Sequence, residues 1–142
     1  MLFIAKFINL QELVLSFDYS INFEDFIKLQ DVSFPQLRIL KFPHQCLNNE
    51  YLTKFLENNG NNLKELYLGN ANDSLNLAIV KFCSKLNSLY TIFYDNEMET
   101  LKLILNGCQE LESIEVWGGG YYLNEVKLLE VVIEYLPKKF YE

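Results

Sequence analysis

The stretch Leu63-Lys-Glu-Leu66-Tyr-Leu68 decides the fold, because related forms of it recur along the whole chain. Four other stretches share its L-x-x-L-x-L spacing: Leu10-Gln-Glu-Leu13-Val-Leu15, Leu37-Arg-Ile-Leu40-Lys-Phe42, Leu86-Asn-Ser-Leu89-Tyr-Thr91 and Leu111-Glu-Ser-Ile114-Glu-Val116. Their first positions are 27, 26, 23 and 25 residues apart, and Phe140 begins a shortened sixth copy after a further 29. A fixed period of this length is the signature of a repeat protein.

Each unit predicts a short strand followed by a helix. Apolar and polar residues alternate within L-x-L, which is the period of a strand with one buried face. Between the strands two apolar sets recur at steps of three, four and three residues, which places each set on one helical face: Met98, Leu101, Leu105 and Cys108, then Val126, Leu129, Ile133 and Leu136. Residue types that favour the N-cap position mark the helix starts: Asn22, Asn48, Asp73, Asn96 and Asn124.

One strand–helix unit is too small to bury its own apolar face, and stacking of units solves this problem. The sequence therefore predicts an α/β solenoid, a right-handed horseshoe of about five repeats. Its parallel strands line the concave face, its helices cover the outside, and leucines fill the space between. Residues 1–142 form one domain, with repeats starting near 10, 37, 63, 86 and 111 and a truncated sixth at 140. A compact two-layer α/β domain is the alternative, since it also alternates strands with helices.

The pattern resembles the leucine-rich repeat, in the cysteine-containing subtype that occurs in F-box proteins. That subtype often has a cysteine three residues before the first leucine, and Cys83 before Leu86 and Cys108 before Leu111 match it. The stretches Leu86–Phe93 and Cys108–Ile114 are similar to fungal families of F-box-like proteins. Two departures are evident: Thr91 replaces an aliphatic residue, and the F-box, a helical segment before the repeats, has no counterpart.

The resemblance implies a protein–protein interaction module, the substrate-recognition segment of an F-box-type ubiquitin ligase receptor that binds through its concave sheet. It would reach the ligase adaptor only through the missing F-box. The alternative is structural: a truncated or decayed repeat array without a ligand of its own, which would self-associate through uncapped ends such as Leu2, Phe3, Ile4 and Phe140.

Composition excludes several classes of partner. The net charge of -7 and the pI near 4.7 argue against nucleic acid, whose partners carry basic patches. No apolar run approaches the length of a membrane span, and no signal peptide is recognisable, so we expect an intracellular protein of the cytoplasm or nucleus.

The three cysteines, Cys46, Cys83 and Cys108, lack the spacing of a disulfide framework or zinc site. No cofactor or metal is expected.

The candidate binding residues are the strand positions that point onto the concave face. The middle column of that face reads Val14, Lys41, Tyr67, Tyr90 and Glu115, with Trp117 beside it. Tyr67, Tyr90 and Trp117 are expected to form one aromatic track, a composition that interaction hot spots share, although aromatic residues also favour strands for packing alone. Glu12, Glu65 and Glu115 make the face acidic, which favours a partner with a basic patch. The predicted protein-binding residues are Lys41, Glu65, Tyr67, Tyr90, Glu115 and Trp117.

Catalysis finds little support in the sequence. The single histidine, His44, follows Pro43 in a predicted loop, and no nucleophile is evident for which it could act as the base. The glycine-rich run Gly118–Gly120 lacks the lysine of a phosphate-binding loop, since the next lysine is Lys127. The chain is therefore expected not to be an enzyme.

Overall fold

Strands and helices alternate along the chain in the order that the sequence predicts. The computed structural model describes residues 6–16, 24–44, 49–69, 73–117 and 124–135, except for the side chains of 24–26 and 73–74. Within these ranges the elements are β1 (Glu12–Val14), α1 (Glu24–Leu29), β2 (Ile39–Phe42), α2 (Asn49–Asn59), β3 (Glu65–Leu68), α3 (Asp73–Phe82), β4 (Ser88–Ile92), α4 (Met98–Gly107), β5 (Ser113–Trp117) and α5 (Glu125–Tyr135).

The five strands form one parallel sheet in chain order, β1-β2-β3-β4-β5. Each strand is followed by a helix, and the next strand pairs beside it. The register aligns the second apolar residue of every repeat in one row: Leu13, Leu40, Leu66, Leu89 and Ile114. The prediction of an α/β fold with a parallel sheet of five strands is confirmed.

One backbone arrangement recurs wherever the chain enters a new strand. In four successive repeats, two neighbouring N–H groups both donate to a single carbonyl in the preceding repeat. The accepting carbonyls belong to Gln11, Arg38, Lys64 and Asn87, and the donor pairs are Arg38 with Ile39, Lys64 with Glu65, Asn87 with Ser88 and Glu112 with Ser113. The repeat is therefore a repeat of backbone geometry as well as of sequence.

The core lies between the sheet and the helices. In β2 and β3 the buried strand residues alternate with half-buried ones, and they join the inner helical residues in one apolar cluster. Fully buried members include Leu40, Phe42, Leu66, Leu68 and Phe55. Each such side chain stabilises the fold by about 1.5–3 kcal/mol relative to its exposed state.

The starts of α4 and α5 test two of the predicted N-cap residues. Asn124 caps α5 as predicted, because its Oδ1 accepts from the N–H groups of Val126 and Lys127. The prediction for Asn96 is wrong: Asn96 lies within a short 3-10 turn, Asp95–Glu97, and α4 begins after it at Met98. The Glu97 carboxylate accepts from the Tyr94 N–H at 2.7 Å, and this bond fixes the entry to α4 instead.

Helix α5 does not bury the apolar face that its residue spacing indicated. It buries the opposite face. Leu128, Val131 and Tyr135 pack towards the core, whereas Val126 and Leu129 are 65% and 61% exposed. Both stripes of the helix are apolar, and periodicity does not show which of the two meets the sheet.

Several sequence predictions lie outside the described residues. These are the helix starts at Asn22 and Asn48, Cys46, the run Gly118–Gly120, Leu136, the terminal Leu2, Phe3 and Ile4, and the shortened repeat at Phe140.

Candidate protein-binding face

The side chains that alternate with the buried strand residues lie on the face of the sheet that the helices leave uncovered, here called the open face. Its residues are half-buried or exposed in every strand. Parallel pairing sets them in columns, and the middle column runs in the predicted order: Val14, Lys41, Tyr67, Tyr90 and Glu115. Trp117 pairs with Ile92 in the neighbouring column. The predicted binding residues thus share one surface, and their role in binding stays a prediction.

Tyr67 and Tyr90 stack on each other in the middle of this face. Their ring centroids are 4.0 Å apart and the ring planes differ by 7°. The short separation follows from their direct pairing on adjacent strands, which lie about 4.8 Å apart. Stacked rings lose little side-chain entropy when they meet a partner, because they already hold each other in place.

Trp117 extends the aromatic track to the end of the sheet. Its indole lies close enough to the Tyr90 hydroxyl to lower the pKa of that hydroxyl. Trp117 remains 52% exposed, which is unusual for so large an apolar side chain. The three aromatic residues therefore form one connected track, Tyr67–Tyr90–Trp117.

The Tyr90 hydroxyl is held in its neutral form. Partial burial raises its pKa most, the hydrogen bond to Tyr67 raises it further, and the negative charge of Glu115 adds to the effect. The neighbouring Trp117 indole lowers the pKa instead, because an N–H donor favours the phenolate form. At neutral pH the track therefore presents the uncharged Tyr90 hydroxyl beside the Glu115 carboxylate.

Towards the other end of the column, the predicted residue Lys41 forms ion pairs that the sequence did not predict. Lys41 Nζ lies 3.6 Å from Glu12 Oε1 and 3.9 Å from Glu65 Oε2, so the ammonium bridges three neighbouring strands. Exposed pairs of this kind contribute little stability. Their effect is that two carboxylates of the neighbouring column offset the Lys41 charge, which leaves the open face acidic, with Glu115 exposed on β5.

A buried polar cluster lies behind the aromatic track and is a further feature that sequence reasoning missed. Thr91 Oγ1 donates to Asn76 Oδ1 at 3.0 Å, and Asn76 Nδ2 donates to Glu97 Oε1 and to the Ile92 carbonyl, both at 3.2 Å. All three side chains are buried. Because the cluster fixes the carboxyl end of β4, it supports the strand that carries Tyr90. The departure of Thr91 from the aliphatic pattern was the available signal.

The cysteine positions that carried the resemblance are packing positions in the structure. Burial raises the pKa of both thiols, to about 11 for Cys108 and further for Cys83, where the neighbouring Cys108 adds to the effect. Cys108 Sγ donates to the Cys83 carbonyl at 3.4 Å. Gly60 holds the same place one repeat earlier, and a Cβ there would lie 2.8 Å from Cys83 Sγ. Small side chains at this point let successive repeats approach closely.

Other titratable side chains lie outside the aromatic track. His44 is exposed immediately after Pro43, and Glu99 and Glu110 pair with Lys102 and Lys64. Within the described ranges, no three His, Cys, Asp or Glu side chains are grouped so that they could hold a metal ion. An apolar hollow of about 470 Å³ lies near the first strand and is lined by residues 6–11.

Comparisons of the chain with protein-family models, with curated proteins and with solved structures found no match. Among the helices that the structure describes, none is long and apolar enough to cross a membrane.

Proposed function

We propose that the chain is a leucine-rich repeat solenoid that binds another protein through the open face of its sheet. The recurrent pair of N–H groups on one carbonyl supports the solenoid, as do the helix contacts, which run from α1 to α2, α3, α4 and α5 in turn. Contacts between successive units only are the property that defines a solenoid. A right-handed crossover between each pair of parallel strands puts every helix on the same side, so the opposite, concave side is left for a ligand.

The observation that carries the binding proposal is the Tyr67–Tyr90–Trp117 track. Tyrosine and tryptophan side chains are enriched among the residues that contribute most of the free energy of binding at protein interfaces. On this face Glu115 lies beside the track, and Glu12 and Glu65 outnumber the single Lys41. The partner is therefore a protein that presents basic groups next to an apolar or aromatic contact. Substrate recognition for an F-box-type ubiquitin ligase is the cellular role that the resemblance favours.

A photo-crosslinking experiment tests this proposal. A photoreactive amino acid at Ser88, beside Tyr90 on the open face, should capture a discrete partner from cell extract. The same group at Leu77, an exposed position on α3, should not capture it. The affinity of the captured protein is then measured by calorimetry against single alanine variants of Tyr67, Tyr90 and Trp117. Each substitution should weaken binding by about 1–2 kcal/mol or more.

The competing structural role makes a different prediction. A repeat array without a ligand would give the same capture from both positions, or capture that the three alanine substitutions leave unchanged. The ligase role is tested separately: the captured partner should be ubiquitinated in a manner that depends on the gene for this chain. Binding without such ubiquitination would retain the interaction module and reject the ligase assignment.

A further inference from the structure

The outer stripe of α5 is an apolar surface away from the open face. It consists of Val126, Leu129 and Ile133, which are 65%, 61% and 67% exposed. Counted back from the last helical residue, Leu129 and Ile133 correspond to Leu101 and Leu105 in α4, which are fully buried. The stripe thus faces outward, whereas the residues at the same count in α4 lie in the hydrophobic core.

The spacing of the stripe matches that of a helix-pairing seam. Val126, Leu129 and Ile133 follow steps of three and four residues, the a, d, a spacing of a coiled coil. Glu125 and Glu130 then occupy the flanking g and e positions, whose charges select the partner helix. Both carboxylates are exposed. The surface is therefore an apolar seam with an acidic residue on each side.

The flanking charges disfavour a second copy of the chain as the occupant. In a parallel pairing of two α5 helices, Glu125 of one copy would face Glu130 of the other, and such like-charge pairs are destabilising. The net charge of -7 on each chain adds to this repulsion. A helix with lysine or arginine at its own e and g positions would instead form favourable pairs with Glu125 and Glu130.

We propose that the outer stripe of α5 is a docking site for an amphipathic helix of another protein, with an apolar a/d stripe and basic flanking residues. This site does not depend on binding at the open face, since the stripe belongs to a helix and includes no residue of the aromatic track. A protein with both surfaces can hold two partners at once, one on the sheet and one at the last helix.

Two designed peptides test this inference. Both are helical peptides of about three heptads with leucine at a and d; one has lysine at e and g, and the other has glutamate there. Fluorescence anisotropy with the full chain should detect binding of the lysine peptide at least tenfold tighter than that of the glutamate peptide. Added salt should weaken the binding, because the flanking pairs are exposed.

Variants locate the interaction. The double variant Leu129→Gln/Ile133→Gln should lose the lysine peptide, while Leu103→Gln, at an exposed leucine of α4, should bind it like the wild type. The double variant Glu125→Lys/Glu130→Lys should invert the preference and bind the glutamate peptide. Circular dichroism melts confirm that each variant is folded, as expected for substitutions at exposed positions.

The inference is overturned if neither peptide binds, if both bind equally well, or if the Leu129→Gln/Ile133→Gln variant binds as the wild type does. Light scattering of the free chain adds a further check. A dimer that the same double variant dissociates would show that a second copy occupies the stripe, contrary to the proposal.

Discussion

Thr91 departs from the aliphatic pattern of the repeat, and its buried hydroxyl is hydrogen-bonded within the fold. The equivalent strand positions hold Leu68 in one neighbour and Val116 in the other, and a hydroxyl at such a position needs a partner because its burial alone is unfavourable. Asn76 supplies that partner from α3, and Glu97 completes the cluster from the turn before α4. The sequence shows the departure at Thr91 but not its partners, since these lie on other elements and meet only after folding.

Substitution of Thr91 by valine tests the buried cluster. The change keeps the volume of the side chain but leaves Asn76 Oδ1 without its donor, so the free energy of unfolding should fall by about 1–3 kcal/mol. Urea denaturation followed by circular dichroism measures the loss. Ser88→Ala, on the same strand but on the open face, is the matched control and should change stability by less than about 0.5 kcal/mol. Equal stability of Thr91→Val and wild type would contradict the cluster's role.

The buried thiols make stability depend on alkaline pH. Burial raises the pKa of Cys108 from 9.0 to about 11, so between these values the unfolded thiol ionises while the folded one stays neutral. Stability from this group is complete below pH 9 and should be lost as pH rises from 9 to 11. Thermal melts of the wild type and Cys108→Ala over this range measure the effect. The variant should show the smaller decline, and parallel declines would contradict the assignment.

At the scale of the element, the sequence predicted the buried face of the strands better than the buried face of the helices. A strand has only two faces, so alternation at L-x-L shows which residues are buried, as Leu66 and Leu68 in β3 show. Helix α5 carries apolar residues on two stripes, and only the packing of α4 beside it decides that Val131 faces inward and Leu129 outward. The ion pairs of Lys41 were missed for a related reason, because they depend on the extended side chains rather than on the backbone register.

Asn59, at the end of α2, joins two repeats through its side chain. Its Oδ1 accepts from the Phe34 N–H at 2.7 Å, and its Nδ2 donates to the carbonyls of Val32 and Phe55. Phe34 and Val32 belong to the connection between α1 and β2. The side chain therefore anchors a segment that has no regular structure of its own.

Replacement of Asn59 by alanine should release that connection. The buried Phe34 N–H would lose its acceptor, and the free energy of unfolding should fall by at least about 1–3 kcal/mol. In hydrogen-exchange measurements the amide of Phe34 should exchange faster in the variant than in the wild type. The strand amides of β4, which lies two strands beyond β2 in the sheet, should be affected less. Asn61→Ala, an exposed asparagine in the following turn, is the control. Unchanged exchange at Phe34 would contradict the anchoring role.

At the scale of the whole molecule, the order of the strands could be read from the sequence because one motif recurs at a nearly constant interval. Each copy places its central apolar residue in the same row of the sheet, from Leu13 to Ile114. The aromatic track follows from the same register, since Tyr67 and Tyr90 occupy equivalent positions in adjacent repeats. The identity of the bound protein does not follow, because charge and aromatic content define only its chemical class.

Distances between spin labels on the helices test the one-directional stack on which the proposed binding face depends. Labels attached through an unnatural amino acid at Asn58, Lys81 and Glu134 occupy exposed, equivalent positions near the ends of α2, α3 and α5, and they leave the cysteines intact. Neighbouring helices pack about 8–10 Å apart, so a stack should give about 20 Å for the pair on α3 and α5 and about 30 Å for the pair on α2 and α5. A distance from α2 to α5 no longer than that from α3 to α5 would show a chain that folds back on itself, and would contradict the solenoid.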